Sequence, residues 1–163
     1  MNKFFAVVAL MLAFAVSGFA QTTYTTSQFS AAFNGSVRVD TFSNPTNTNV
    51  RYQSTTPDGV TQAITVRTVD HDIAVSTASS DFYMSTDPTG GTVRGISRGT
   101  YQGHPYTYAF HDKVNEAGVV EYSVRVRYII VSSREVIFIE QVAPETLDDQ
   151  QEWFRFEASL GIN

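Results

Sequence analysis

Residues 120–142, VEYSVRVRYIIVSSREVIFIEQV, carry the clearest strand pattern in the chain. Its first half alternates between apolar and polar side chains, which is the period-two pattern of a strand with one apolar face. Residues 132–134 predict a turn, and residues 135–142 are apolar on both faces, which indicates a strand covered on both sides. The stretch therefore predicts a long antiparallel hairpin at the centre of a sheet. Its first strand presents an apolar face formed by Val120, Tyr122, Val124, Val126, Tyr128 and Ile130.

Further strands are predicted on the N-terminal side of this hairpin. Residues 92–101 and 105–112 flank the turn Gln102-Gly103, and residues 49–56 and 60–70 flank Pro57-Asp58-Gly59. Proline presets φ and glycine accepts positive φ, so the second of these connections is a hairpin turn. A short first strand is predicted at 28–33 with a turn at 34–36, and a polar loop at 41–48.

Two helices complete the prediction. Residues 145–158 follow Pro144, which suits a first helical position, and Thr146 with Asp149 has the spacing of a capping box. A shorter helix is predicted at 76–87 before Pro88. We therefore expect an α+β domain with an antiparallel sheet of six to seven strands packed against helices.

Residues 1–20 have the three parts of a secretory signal peptide. A basic start at Lys3, an apolar run at 4–16 and small residues at Gly18 and Ala20 precede a polar segment. We expect cleavage between Ala20 and Gln21, which leaves one domain, residues 21–163. Thirteen apolar residues reach about 20 Å as a helix, short of the roughly 30 Å hydrocarbon core. A membrane span after cleavage is therefore not expected.

The amino-acid composition limits the cellular locations and the classes of binding partner that we expect for this domain. The chain has no cysteine, so a lipid-anchored form and disulfides are both excluded. Loss of Lys3 with the signal leaves ten basic and sixteen acidic residues, a net charge of −6. Such a domain is poorly matched to nucleic acid or an anionic membrane surface. We expect a free secreted or periplasmic domain.

Several stretches resemble the PsbP-like α/β/α sandwich family. Residues 29–35, FSAAFNG, are similar to the opening strand and turn of that family, with Asn34 where proline is usual. The C-terminal part is similar to the ending of that family. The similarity covers residues 103–105, the long hairpin after them, the run Glu152-Trp153-Phe154 and the final Ser159-Leu160. The resemblance implies a sheet with helices on both faces and a non-catalytic binding or assembly role.

Ser97 lies in the most suggestive motif, GISRG at residues 95–99. In hydrolases, Gly-x-Ser-x-Gly forms a sharp strand-to-helix elbow that exposes the serine. Here the following residues predict a strand and a hairpin, and His104 and His111 follow too closely for the usual triad order. We favour a strand of small residues with its glycines at a bulge or a close approach.

The other candidate metal-ligating or catalytic residues are His71, Asp72, His104, His111 and Asp112. Imidazole and carboxylate groups suit zinc if three of them converge. Neighbours on a strand point to opposite faces, so each cluster offers fewer converging groups than it contains. We therefore expect no metal and no cofactor.

Arg125 and Arg127 share one strand face with Glu121. Two arginines are suited to clamping a carboxylate or phosphate. We favour a structural role instead, in which they pair with acids such as Asp148, Asp149 or Glu152.

The absence of a convergent acid, base and nucleophile favours a non-enzymatic binding or assembly module of the bacterial cell envelope. Its partner would be an envelope protein or a small ligand. Two alternatives remain: a small hydrolase or metal-dependent enzyme using Ser97 or the three histidines, and a carrier of a small apolar ligand. The carrier predicts a closed cavity lined by tyrosine and phenylalanine.

Overall fold

A computed structural model describes residues 21–86, 92–147 and 149–163. The signal peptide prediction up to Ala20 lies outside these residues. The elements follow in the order β1 (Gln21–Thr25), β2 (Phe29–Asn34), β3 (Arg38–Ser43), β4 (Asn47–Thr55), β5 (Thr61–Val69), α1 (Thr77–Thr86), β6 (Thr92–Tyr101), β7 (His104–Val114), β8 (Val120–Ser132), β9 (Glu135–Pro144), α2 (Gln150–Ser159) and β10 (Gly161–Ile162).

Seven strands form one antiparallel sheet in the order β3-β4-β5-β9-β8-β7-β6. The predicted antiparallel α+β architecture is confirmed, and β9 is the middle strand. Its residues 136–141 are all buried, because both faces of the sheet are covered at this point. The helix predicted at 76–87 is confirmed as α1, as far as the described residues extend.

The helices pack on opposite faces of this sheet. On one side, which we name the α1 face, Tyr83 of α1 packs with Tyr128 and Phe138. On the other, the α2 face, Trp153 and Phe156 of α2 form a core with residues of β2, β5, β8 and β9. The alternating pattern of β8 determines this division, since successive side chains point to opposite faces.

A second, smaller sheet covers part of the α2 face. It consists of β1, β2 and β10 in that order. The strand predicted at 28–33 is present as β2, but it belongs to this small sheet, with Phe29 and Phe33 fully buried. Both β1 and β10 were missed because β1 is polar and exposed and β10 has only two residues.

The polar loop predicted at 41–48 is wrong. Residues 38–43 and 47–55 are strands, and only residues 44–46 turn, where the side chain of Asn44 accepts hydrogen bonds from the backbone of Thr46 and Asn47. Strand β3 lies at the sheet edge with five of its six residues exposed. Backbone pairing with β4 stabilises this strand, although its sequence shows no alternation of apolar and polar residues.

The predicted start of the C-terminal helix is also wrong, since α2 begins at Gln150 rather than 145. Pro144 ends β9 opposite Tyr122, and the Glu145 amide donates to the Glu121 carbonyl, which extends the strand ladder. The predicted capping box is absent. Asp149 is the N-cap residue, but its side chain makes no capping hydrogen bond. Neither of the two helices in the described residues is long and apolar enough to cross a membrane.

Candidate functional site

A row of polar side chains crosses the α2 face and positions the start of α2. Cross-strand pairing aligns Ser54, Gln62, Gln141 and Arg125. Gln62 donates to Gln141 at 3.3 Å, and Gln141 donates to the backbone carbonyl of Asp149 at 3.0 Å. Because Gln62 and Gln141 are buried, each needs these partners.

Arg125 completes this row. Its Nη2 donates to Oδ1 of Asp149 at 2.9 Å and its Nε to Oδ2 at 3.3 Å, a two-pronged contact. The guanidinium carbon lies 4.4 Å from the ring centre of Phe110. Burial disfavours the cation, but hydrogen bonds with Asp149 and Tyr108 outweigh it and raise the pKa of Arg125. The preference for an ion-pairing role is confirmed for this arginine, with Asp149 among the acids named for it.

Arg127 occupies the next position on the same face. It forms an ion pair with Glu157, and its guanidinium carbon lies 4.1 Å from the ring centre of Tyr106 and 5.0 Å from that of Tyr101. Burial raises the pKa of Glu157, and Arg127 partly opposes this rise. The Tyr101 hydroxyl donates to the carbonyls of Glu157 and Leu160, which fixes the C-terminal end of α2.

A cleft of about 240 Å³ opens between α2 and this face of the sheet. Its floor consists of side chains from β6, β7 and β8, and its roof of side chains from α2. The ring centre of Trp153 lies 5.7 Å from that of Tyr108 in a tilted contact, whereas its neighbour Phe154 is 49% exposed. The lining residues are Ser97, Tyr108, Arg125, Arg127, Gln150, Trp153, Phe154 and Glu157.

Ser97 lies in this cleft, but not on an elbow. It is in the middle of β6, directly opposite Tyr108 in the antiparallel ladder. The strand has a bulge between Val93 and Gly95, and a Cβ on Gly99 would lie 3.1 Å from the Tyr106 ring. The expected bulge and close approach at the glycines are therefore both present.

The histidines do not join Ser97. His104 begins β7 on the same face, about 13 Å along the strand from the position opposite Ser97. His111 is buried and points to the α1 face, and His71 is exposed beside Asp70 at 2.9 Å. No histidine lines the cleft.

The carboxylates named with these histidines have arginine partners. Asp72 accepts from Arg134 at 2.8 Å, and Asp112 forms an ion pair with Arg94. In the three described ranges, no group of three histidine, aspartate or glutamate side chains is placed to hold a metal ion. Of all the sequence candidates, the cleft collects Ser97, Arg125 and Arg127.

Sequence reasoning missed Glu157 as the partner of Arg127. It also gave no role to Gln150 or to the cleft wall formed by Trp153. A signal was available, because Asp149, Trp153 and Glu157 recur every four residues and therefore share one helix face. The charged lining differs from the closed apolar cavity that the carrier alternative predicts.

No protein-family model matches the chain, and no curated protein shows significant sequence similarity to it.

Proposed function

We propose that this chain is a secreted, non-enzymatic binding module of the bacterial cell envelope that captures an extended segment of a partner protein on strand β6. The observation that carries the proposal is the position of β6 at the end of the sheet, directly beside the cleft. Among the described strands, β6 pairs only with β7. The backbone groups along its other edge are therefore available to a further strand.

The bulge divides this edge. From Gly95 to Tyr101 the strand pairs regularly with β7, which leaves seven consecutive residues for an added strand. Alternate side chains of that strand would enter the α2 cleft near Ser97. The others would lie on the α1 face near Ile96, which is 42% exposed.

The cleft favours an apolar or aromatic side chain from the partner. Tyrosine, tryptophan and arginine are the residues most enriched where protein partners bind. Both arginines already have carboxylate partners, Asp149 and Glu157. A charged ligand group would have to displace one of these acids, whereas an apolar group could pack against Tyr108 and the exposed Phe154 without doing so.

The proposal includes secretion after cleavage at Ala20 and a PsbP-like α/β/α sandwich. Support for secretion comes from the signal pattern and the lack of cysteine. Support for the sandwich comes from helices on opposite faces of the sheet. The separation of Ser97 from all three histidines supports a non-enzymatic role.

The test is site-specific cross-linking. The photoreactive amino acid p-benzoylphenylalanine replaces Ser97 on β6, and the matched control replaces Thr41 on the opposite edge strand β3, which is also exposed. After irradiation in the native envelope, we expect adducts from position 97 that map to one linear segment of one protein. A synthetic peptide of that segment should bind the free chain and change the fluorescence of Trp153, the single tryptophan.

Peptide binding should also slow amide hydrogen exchange in residues 95–101. Adducts at position 97 no stronger than at position 41 would refute the proposal. So would a cross-linked segment whose peptide leaves exchange in β6 unchanged.

A further inference from the structure

The α1 face carries an arginine that is held in place without being neutralised. Arg67 on β5 donates from Nε to Oδ1 of Asn49 at 2.6 Å. Asn49 in turn donates to Asn47 at 2.8 Å, so the amide that orients Arg67 is itself fixed. Among the described residues, no carboxylate pairs with Arg67.

Two aromatic rings also pack against the guanidinium of Arg67. Its central carbon lies 4.7 Å from the ring centre of Phe138 and 5.6 Å from that of Tyr83. In the described part of the chain, its two Nη groups make no hydrogen bond to protein. The four N–H donors of these groups form a planar fork that matches two oxygens of a carboxylate or phosphate.

Within the described ranges, the neighbouring charged side chains pair with one another and leave Arg67 without a counter-charge. Arg51 pairs with Glu140 at 2.7 Å, and Arg38 pairs with Asp40 at 2.9 Å, all on this side of the sheet. Arg67 therefore contributes an unbalanced positive charge to this region, on a chain whose net charge is −5.

This part of the sheet is also accessible. Helix α1 packs against β7 and β8, away from β4. Asn49, Arg51, Thr65 and Arg67 are all half-buried. Thr65 lies two residues before Arg67 on the same strand face, so the two backbone positions are about 7 Å apart along β5.

We propose that Arg67, oriented by Asn49 and Phe138, is a binding site for a small oxyanion, either a carboxylate or a phosphate. The anion accepts from both Nη groups in a bidentate contact. This site lies on the opposite face of the sheet from the α2 cleft and does not depend on the function proposed for that cleft.

The experiment titrates the full chain with sodium acetate and, separately, with inorganic phosphate at constant ionic strength. The readouts are the NMR signal of the Arg67 Nε–H group and the side-chain amide of Asn49. We expect saturable shifts of both signals with at least one anion. The anion that saturates at lower concentration distinguishes a carboxylate site from a phosphate site.

Three variants test the assignment. Arg67→Gln should abolish the saturable shift of Asn49, and Asn49→Ala should weaken binding several-fold while the charge remains. Arg38→Gln, which removes an arginine already paired with Asp40, is the matched control and should bind as the wild type does. Circular dichroism establishes that each variant is folded.

Two results would overturn the proposal. One is shifts that rise linearly with both anions, which reflect bulk salt rather than a site. The other is an equal loss of binding in Arg67→Gln and Arg38→Gln, which reflects general charge.

Discussion

The guanidinium of Arg125 on β8 holds the carboxylate of Asp149, the residue before α2, at 2.9 Å, with side chains 13% and 3% exposed. The pair joins the centre of the sheet to the start of the helix that roofs the cleft. It also explains why the carboxylate of Asp149 does not cap its own helix. A stronger, charged partner lies directly beneath it.

Replacing Asp149 should therefore be costly. Asp149→Asn leaves the buried cation of Arg125 without its counter-charge, and the expected loss is about 3 kcal/mol in the free energy of unfolding. The matched control is Asp40→Asn, which breaks the pair with the mostly exposed Arg38 and should cost less than about 1 kcal/mol. Urea unfolding of the two variants measures both values. Equal losses would show that Arg125 does not depend on Asp149.

Gly99 should not tolerate alanine. A Cβ at this position would lie 3.1 Å from Cε1 of Tyr106, and this ring has little room to move because Arg127 lies against it. We expect Gly99→Ala to lower stability by about 1–3 kcal/mol through overpacking. Gly95→Ala is the control on the same strand, since nothing lies within 4 Å of its added Cβ. Thermal melts compare the two, and a Gly99→Ala melt at or above that of Gly95→Ala would contradict the prediction.

Glu152 should make stability depend on pH. Burial raises its carboxyl pKa, the nearby charges of Asp58 and Asp149 add to this rise, and Arg155 opposes it. A raised native pKa means that the ionised carboxylate destabilises the folded state. The free energy of unfolding of the wild type should therefore increase as the pH falls from the raised native pKa of Glu152 to the ordinary glutamate pKa.

The variant Glu152→Gln isolates this effect. It should be more stable than the wild type at pH 7, and the difference should shrink as the pH falls through the raised native pKa, until it is lost below about 4.3, the unfolded-state pKa. Urea unfolding from pH 3 to pH 8 provides the comparison. A difference that stays constant over this range would assign the effect to packing rather than to charge.

Two neighbouring aromatic residues on α2 should respond in opposite ways. Trp153 is 2% exposed and packs in the core, so Trp153→Ala should cost about 3–5 kcal/mol. Phe154 is 49% exposed, so Phe154→Ala should change stability by less than about 0.5 kcal/mol. The second variant should instead weaken capture of the partner segment, as measured by the cross-linking yield at position 97. Unchanged capture would place Phe154 outside the binding surface.

Much of the main sheet followed from local patterns. The period-two alternation of β8 and the all-apolar run of β9 correctly predicted a central hairpin. The turn at Pro57-Asp58-Gly59 was equally predictable, since Gly59 adopts φ +93°. Strand β3 was not predicted because an exposed edge strand is stabilised by backbone hydrogen bonds. Such bonds do not require an alternating pattern of apolar side chains.

Sequence patterns alone predicted the antiparallel sheet, the central position of β9 and the strand face that Arg125 and Arg127 share. Periodicity determines these features because it fixes which way each side chain points. Two features depended on tertiary packing: the contact of Glu157 with Arg127, and the separation of Ser97 from the histidines. These contacts join residues far apart in the chain, and local patterns carry no information about which distant elements pack together.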